Sequence, residues 1–257
     1  MDDKIRDRRQ AVSRQRGRRR ASLVFVLFLL VAAGVLFLWL RSSDVFAVRT
    51  VTATATERVA QEDVSRITTE ALGSSLLRLS TGDLEEALRA LPYVRSAEVY
   101  REFPNTLDVR LDEYEPAARM RAGDGAVWLL ADNGRALEVV IPPRGAGLPL
   151  IIPAAAEAPV AGQQVSEAVA EALPLAVILS SAGVDDVLAS ANEIRVSASG
   201  AGTIMLRGGA ELRLGDMTRL EEKLKAAAQI IQQCLRDEKQ LEYVDVSVPA
   251  RVAVKAK

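Results

Sequence analysis

The 257-residue sequence contains no histidine and only one cysteine, Cys234. Without histidine, the chain lacks the usual general base near neutral pH, the usual activator of serine and cysteine nucleophiles, and the commonest metal ligand. A single cysteine can form neither an internal disulfide nor a thiolate metal cluster. The sequence therefore predicts no catalytic residue, no metal site and no cofactor.

Glycine and carboxylate patterns support the same expectation. The glycines between positions 200 and 215 match neither the dinucleotide-binding nor the Walker spacing, and hairpin turns account for them. Four carboxylates lie close together: Asp108, Asp112, Glu113 and Glu115. Strand alternation turns Asp108 and Asp112 outward, and no motif supplies a matched acid and base. We expect neither an enzyme nor a binder of a small-molecule substrate.

The net charge of −1 hides an uneven distribution. The basic residues Lys4, Arg6, Arg8, Arg9, Arg14, Arg16, Arg18, Arg19 and Arg20 stand among only three acids in the first twenty positions. An uncharged run of twenty residues follows, from Ala21 to Leu40, which as a helix would span the roughly 30 Å hydrocarbon layer. The basic cluster before this run predicts a cytoplasmic N-terminus and a single-pass, type II protein.

Three other interpretations of the N-terminal region remain open. The apolar run could belong to a cleaved signal peptide, although it is longer than the hydrophobic segment of a typical signal peptide. It could also form a buried helix within a folded domain. The basic tail could bind nucleic acid, but it has no interleaved aromatic residues, so we expect no nucleic-acid partner.

The first part after the anchor has the predicted order strand, helix, helix, strand, strand. These elements are a strand over 45–56, a helix from about Gln61 that stops at Gly73, a helix capped by Asp83 and ended by Pro92, and a hairpin with its loop at 103–105. In the hairpin, the apolar residues are all odd-numbered: Ala97, Val99, Leu107, Val109 and Leu111. The alternation predicts one buried face and one solvated face.

The second part is rich in strand patterns with two helices. The predicted elements are a hairpin at 132–134, a helix over 166–181 that Pro174 kinks or breaks, three strands between 192 and 216, a helix over 217–239 and a final strand over 242–255. Cys234 falls on the apolar stripe of the last helix. We interpret it as a buried small hydrophobic residue rather than a reactive thiol.

The segment from Leu91 to Ala118 carries the most specific signal. The order of strands and helices resembles that of a POTRA (polypeptide transport-associated) domain. The residue pattern of this segment resembles the one that closes the POTRA domain in the bacterial cell-division proteins FtsQ and DivIB. The positions that fill that pattern are Leu91, Pro92, Tyr93, Val94, Ala97, Val99, Phe103, Pro104, Thr106, Leu107, Glu113, Pro116 and Ala118. The "Val-Asp" phrase at 244–245 resembles the family's terminal strand, but Ser247 and Val248 replace its arginine and tyrosine.

The resemblance implies an α+β fold with an N-terminal transmembrane helix, a POTRA domain (β-α-α-β-β) and a mainly antiparallel β-sheet domain with packed helices. The implied parts are a basic cytoplasmic tail (1–20), the transmembrane helix (21–41), the POTRA domain (45–115), the FtsQ-type β domain (117–249), and the end of the last strand with its tail (250–257).

The resemblance also implies a function and partners. The family's members are divisome scaffolds in the cell (inner) membrane at the septum, with most of the chain outside the cytoplasm. They are not enzymes; they bind FtsB and FtsL and contact FtsW and FtsI. FtsB adds as a strand at an edge of the β domain, which by position is Tyr243, Val244, Asp245, Val246, Ser247 and Val248 here. The alternatives are a membrane-anchored POTRA protein of envelope assembly or secretion, and an envelope sensor or regulator.

Overall fold

A computed structural model describes residues 25–35, 39, 44–141, 145, 147–181, 193–206, 208–237 and 239–256. The basic tail lies outside these residues. Of the predicted anchor, only 25–35 and Trp39 are described, and both are helical. Within the described ranges, no helix reaches the length and apolar content that a membrane crossing requires.

The described chain forms twelve strands and four helices from residue 44 onward, after a 3-10 turn at Asp44–Phe46. The helices are α1 (Gln61–Thr69), α2 (Thr81–Arg89), α3 (Glu167–Ser180) and α4 (Leu220–Arg236). The strands are β1 (Thr50–Ala53), β2 (Val94–Glu102), β3 (Thr106–Glu113), β4 (Pro116–Arg121), β5 (Val127–Ala131), β6 (Ala136–Val140), β7 (Leu150–Pro153), β8 (Glu193–Val196), β9 (Gly202–Met205), β10 (Glu211–Gly215), β11 (Leu241–Asp245) and β12 (Ala253–Ala256).

These elements divide into two compact units. Among the described residues, the first contains those up to 55 together with 61–85 and 98–110, and the second contains 56–60, 86–97 and those from 111 onward. The predicted α+β class is confirmed, since one sheet has three strands in the order β1-β3-β2 and the other has nine.

In the first unit, β1 pairs with β3 in parallel, with Val51 opposite Leu107. The predicted hairpin is confirmed, and its odd-numbered residues Val99, Leu107 and Val109 are buried. The predicted strand at 45–56 is shorter, because the chain first makes the 3-10 turn. The predicted cap at Asp83 is wrong: α2 begins two residues earlier, and the Asp83 N–H donates to Oγ of Ser80 at 3.4 Å.

In the second unit, the nine strands follow the order β12-β11-β10-β9-β8-β7-β4-β5-β6. A continuous apolar row crosses the sheet in register, and helices α3 and α4 pack against its inner members in one core, while Val139 and Val254 at its two ends are exposed. Its members, one from each strand, are Val254, Val244, Leu212, Ile204, Ile194, Ile151, Met120, Trp128 and Val139.

Helix α3 continues through Pro174, so a break at this residue is not found. Proline removes one helical hydrogen bond, but Leu173 and Leu175 on either side are fully buried against the sheet. Burial of the surrounding apolar residues therefore holds the helix together across the proline.

The prediction of a single final strand over 242–255 is wrong, as is the description of residues after 250 as the end of that strand. The chain forms β11, turns, and returns antiparallel as β12. Cys234 is half-buried rather than buried, since the apolar stripe of α4 ends at Ile231 and Leu235 is exposed.

Helix α4 also buries one ammonium group. The Lys223 side chain is fully buried, and its Nζ donates to the backbone oxygen of Asp216 at 2.9 Å and to the Asp216 carboxylate. The hydrogen bond from Lys223, followed by those from Thr218, lowers the pKa of Asp216 to about 2. The ion pair fixes the loop between β10 and the helix that follows it.

We predict that Lys223→Met and Lys223→Ala separate the packing of this side chain from its charge. The methionine variant keeps the buried stem, whereas the alanine variant leaves a cavity and should be less stable than it by about 2–4 kcal/mol. Urea unfolding of the detergent-solubilised chain measures the difference when it is followed by tryptophan fluorescence in a Trp39→Phe background, which leaves Trp128 as the one indole.

The pH dependence supplies a second readout. Because the folded pKa of Asp216 lies below its usual value of 3.8, its contribution to stability is present above that pH and is lost as the pH falls towards 2. The free energy of unfolding of the wild type relative to that of Lys223→Met should therefore fall on acidification. A constant difference between pH 7 and pH 2 would contradict this assignment.

Candidate protein-binding edge of the second sheet

Strand β12 lies at one end of the nine-stranded sheet and is exposed at all four residues. Within the described part of the chain, its only strand neighbour is β11. A strand with one neighbour presents main-chain donors and acceptors along its other side, which can pair with a strand from another protein. We call Ala253–Ala256 the β12 edge.

The opposite edge of the sheet is partly occupied. Beside β6, the Ala136 N–H donates to the oxygen of Gln163 and the Gly162 N–H donates to the oxygen of Ala136, both at 2.8 Å. The segment around 162–164 therefore uses the outer groups of β6 where this strand begins. The β12 edge is the more open of the two within the described residues.

Three of the six predicted site residues lie one strand inward from this edge, and the other three, Val246, Ser247 and Val248, follow the end of that strand. Tyr243, Val244 and Asp245 belong to β11. This strand pairs in parallel with β10 on one side and antiparallel with β12 on the other. The Val246 N–H donates to the oxygen of Arg213 at 2.9 Å, so its amide is also paired. Placing the free edge on these residues was wrong, while a role for their side chains in partner binding stays a prediction.

The turn after β11 creates the additional strand. One carboxylate oxygen of Asp245 accepts hydrogen bonds from the Ser247 N–H at 2.9 Å and the Ser247 hydroxyl at 2.7 Å. The hydroxyl bond contributes most to lowering the pKa of Asp245, against the effect of burial. The Arg251 N–H then donates to the oxygen of Val248 at 2.8 Å. These local bonds reverse the chain and bring β12 alongside β11.

Gly215, at the end of β10, leaves room for this turn. Its φ is +68°, a conformation that side-chain-bearing residues avoid, and an added Cβ would lie 2.8 Å from Cβ of Ser247. The turn and the end of β10 therefore fit together only with glycine at this position.

Charged side chains cover the polar face next to the edge. Lys255 pairs with Glu242 at 2.8 Å, and this bond raises the pKa of the lysine. Arg213 pairs with Glu211 at 2.8 Å, which raises the pKa of the arginine, and lies 4.3 Å from the centre of the Tyr243 ring. Both cations remain charged at neutral pH, so the polar face offers hydrogen bonding and charge beside the open backbone.

Arg213 was missed in the sequence because it belongs to a different strand. The sequence does contain a signal for this pairing. A strand, a helix and a second strand in succession favour a parallel pair of strands, which places β10 beside β11. Lys255 was missed because the final strand was predicted without a turn.

Two of the four clustered carboxylates, Glu113 and Asp108, have structural partners. Glu113 accepts hydrogen bonds from the backbone N–H groups of Glu57, Arg58 and Val59 at 2.7–3.1 Å. Burial raises the pKa of Glu113, but these three hydrogen bonds outweigh it, and the net pKa is lowered. Asp108 accepts from Nε of Arg110 at 3.0 Å.

Asp112, Glu113 and Glu115 line one open cavity of about 400 Å³, together with the Asp132–Arg95 ion pair. A general acid near neutral pH needs a raised pKa, and that of Glu113 is shifted the other way. Glu113 holds backbone N–H groups in place, and Asp132 holds the Arg95 guanidinium. Among the described residues, no group of acids and cysteines has the arrangement of a metal site.

Two family models match the chain in sequence order. Residues 46–114 match the FtsQ-type POTRA domain, and residues 118–247 match the C-terminal domain of the cell division proteins FtsQ and DivIB. The chain belongs to the FtsQ/DivIB family. Its POTRA-type and β-sheet domains correspond to the two sheets described above.

Curated FtsQ proteins are similar over most of this chain. The cell division protein FtsQ of Anaeromyxobacter sp. (strain K) is 32% identical over 71% of this chain and 61% of its own length, so the match spans less than two thirds of that relative. The FtsQ of Myxococcus fulvus is 28% identical over 75% of this chain and 71% of its own length. The FtsQ of Allochromatium vinosum is 28% identical over 81% and 78%.

We predict that Gly215→Ala destabilises this family member more than Gly208→Ala. Both glycines have positive φ, but a Cβ at Gly208 meets nothing within 4 Å. The conformational penalty should be about 1 kcal/mol in each variant, and the contact with Ser247 should add about 1–3 kcal/mol at Gly215. Urea unfolding measures both values.

A rescue variant separates this contact from a general effect of alanine. Ser247→Gly removes the Cβ that alanine would strike, so Gly215→Ala should cost less stability in a Ser247→Gly background than in the wild type. Measuring within that background cancels the loss of the Ser247 hydroxyl bond to Asp245. Equal losses in the two single glycine variants, or the same Gly215→Ala loss in both backgrounds, would contradict the assigned contact.

Proposed function

We propose that this chain is a membrane-anchored scaffold of the bacterial divisome that links early and late division proteins outside the cytoplasm. The family assignment supports a role in cell division. The uncharged run from Ala21 to Leu40, preceded by nine basic residues, supports a type II anchor in the cell membrane. The proposed partners are FtsB and FtsL, with contacts to FtsW and FtsI at the septum.

The single observation that supports the mode of binding best is the open β12 edge. Strand addition satisfies main-chain groups that otherwise face water, and the partner's alternate side chains then meet the two faces of the sheet. We propose that an FtsB segment adds here, next to Ala253–Ala256, rather than along β11.

The edge also specifies what the added strand should contain. On the core face, Val254 continues the apolar row of Val244 and Leu212 but remains exposed. On the other face, Lys255 lies opposite Tyr243 in a charged environment. A partner strand with apolar residues on one face and polar residues on the other would extend both rows, since cross-strand neighbours pack in pairs.

The cellular role can be tested by depletion and localisation. Cells depleted of this chain should form filaments without septa, and a fluorescent fusion should form a ring at mid-cell. Normal division after depletion in cells without a second copy, or an even envelope signal in dividing cells, would refute the proposal.

For the binding mode, we predict that proline substitutions along the β12 edge fall into two classes. Alternate N–H groups of a strand point to opposite sides, so Val254 and Ala256 form one class, and Ala253 and Lys255 form the other. Proline in the class facing β11 should lower Tm, because it breaks the existing pair. Proline in the outward class should leave Tm unchanged and weaken FtsB binding by about tenfold or more, since each lost backbone bond leaves a partner unsatisfied.

Binding of a purified FtsB extracytoplasmic segment to the detergent-solubilised full chain, measured calorimetrically, gives these affinities. At Val254 and Lys255, alanine serves as the matched control, because it removes the side chain and keeps the N–H; positions 253 and 256 are alanine in the wild type, which is the control for them. Full affinity in every proline variant that retains its Tm would exclude strand addition at β12.

A further inference from the structure

The first unit has one end at which three separated segments meet. The Val48 N–H donates to the oxygen of Ser74 at 2.9 Å, and the Leu76 N–H donates to the oxygen of Phe46 at 2.8 Å. The Arg49 N–H donates to the oxygen of Asn105 at 2.9 Å. These bonds join residues 45–49, 72–78 and 101–105, which we call the tip.

Large apolar side chains are exposed on this tip. Phe103, in the loop of the β2–β3 hairpin, is 59% exposed, and Val45 is 55% exposed. Leu72 and Leu77 are also exposed. The rings of Phe46 and Phe103 meet edge to face with their centres 5.9 Å apart, so Phe103 is held outward by a packed neighbour.

Single exposed apolar residues are ordinary on protein surfaces, but a group of them on one end indicates a binding surface. Of the five large apolar side chains exposed between residues 44 and 110 in the described part of the first unit, only Tyr100 lies outside the tip. The exposed apolar surface of this unit is therefore concentrated at one end.

The position of the tip along the chain indicates what covers it. The apolar run ends at Leu40, and Val45 follows five residues later. Even a fully extended chain covers only about 17 Å over five residues. The headgroup layer on one side of a bilayer is itself about 5–7 Å thick, by the difference between total and hydrocarbon thickness. If the run is an anchor, a tip joined to it this closely lies within reach of the lipid surface.

The charges on the tip are compatible with lipid headgroups. Arg49, Arg78 and Arg101 are exposed, with Glu102 as the acid among them. Aromatic rings next to cationic side chains are typical of the membrane–water interface, where the apolar part enters the acyl boundary and the charge meets phosphate.

We propose that the tip, through Phe103 and Val45, inserts into the lipid headgroup layer beside the anchor and so fixes the first unit against the membrane surface. This inference rests on the membrane anchor of the proposed function. Phe103 is the decisive residue, because Val45 would stay near the membrane through its short connection alone.

The test uses the full chain in a Cys234→Ala background, reconstituted into phosphatidylcholine–phosphatidylglycerol liposomes. An environment-sensitive fluorophore is attached at Phe103→Cys, at Val45→Cys, or at Ala55→Cys as control. Ala55 is also exposed and lies beyond the other end of β1 in the same unit. A lipid carrying a nitroxide near the top of its acyl chain then quenches fluorophores at the headgroup boundary.

The expected result is a blue-shifted emission and loss of most of the fluorescence at positions 103 and 45, with little quenching at position 55. If the chain sediments with the liposomes but position 103 is quenched no more than position 55, the insertion is refuted and the anchor stands. If the chain does not sediment with the liposomes, the anchor fails, and the inference fails with it.

Discussion

An open β-sheet must end in two strands whose outer main-chain groups have no strand to pair with, and this constraint organises the second unit. At β6, the segment around 162–164 supplies hydrogen bonds to the start of the strand. At β12, the described chain supplies none beyond those of β11. The core, the helices and the final turn together determine that the open edge is Ala253–Ala256.

The same apolar row stabilises the sheet and defines its edge. It runs in register from Met120 through Leu212 and Val244 to Val254, where burial gives way to exposure. Helix α4 connects β10 to β11, and these two strands lie parallel to each other. The member of the apolar row on β11, Val244, is therefore buried in the core. The chain then turns at Ser247 and returns as one more strand.

Much of this fold follows from local patterns in the sequence. Odd-numbered apolar residues predicted the β2–β3 hairpin, and the Asp-Asn-Gly turn predicted the β5–β6 hairpin, because alternation and turn chemistry act over a few residues. The end of the chain was harder: "VDVSVPARVAVK" is rich in β-branched residues, and its one turn signal is Pro249, which follows Val248 in the turn that the Arg251 N–H closes. The reversal depends on the Asp245–Ser247 bonds and on the space left by Gly215, which lies on another strand. The location of the binding edge therefore required the three-dimensional pairing.

Hydrogen exchange of the full chain, with and without the FtsB extracytoplasmic segment, tests strand addition at β12 most directly. Addition there should slow exchange of the amides of residues 253–256 that point away from β11, while the central strand β8 keeps its exchange rates. Unchanged exchange at 253–256 under saturating FtsB, or new protection confined to another edge, would contradict binding at the β12 edge.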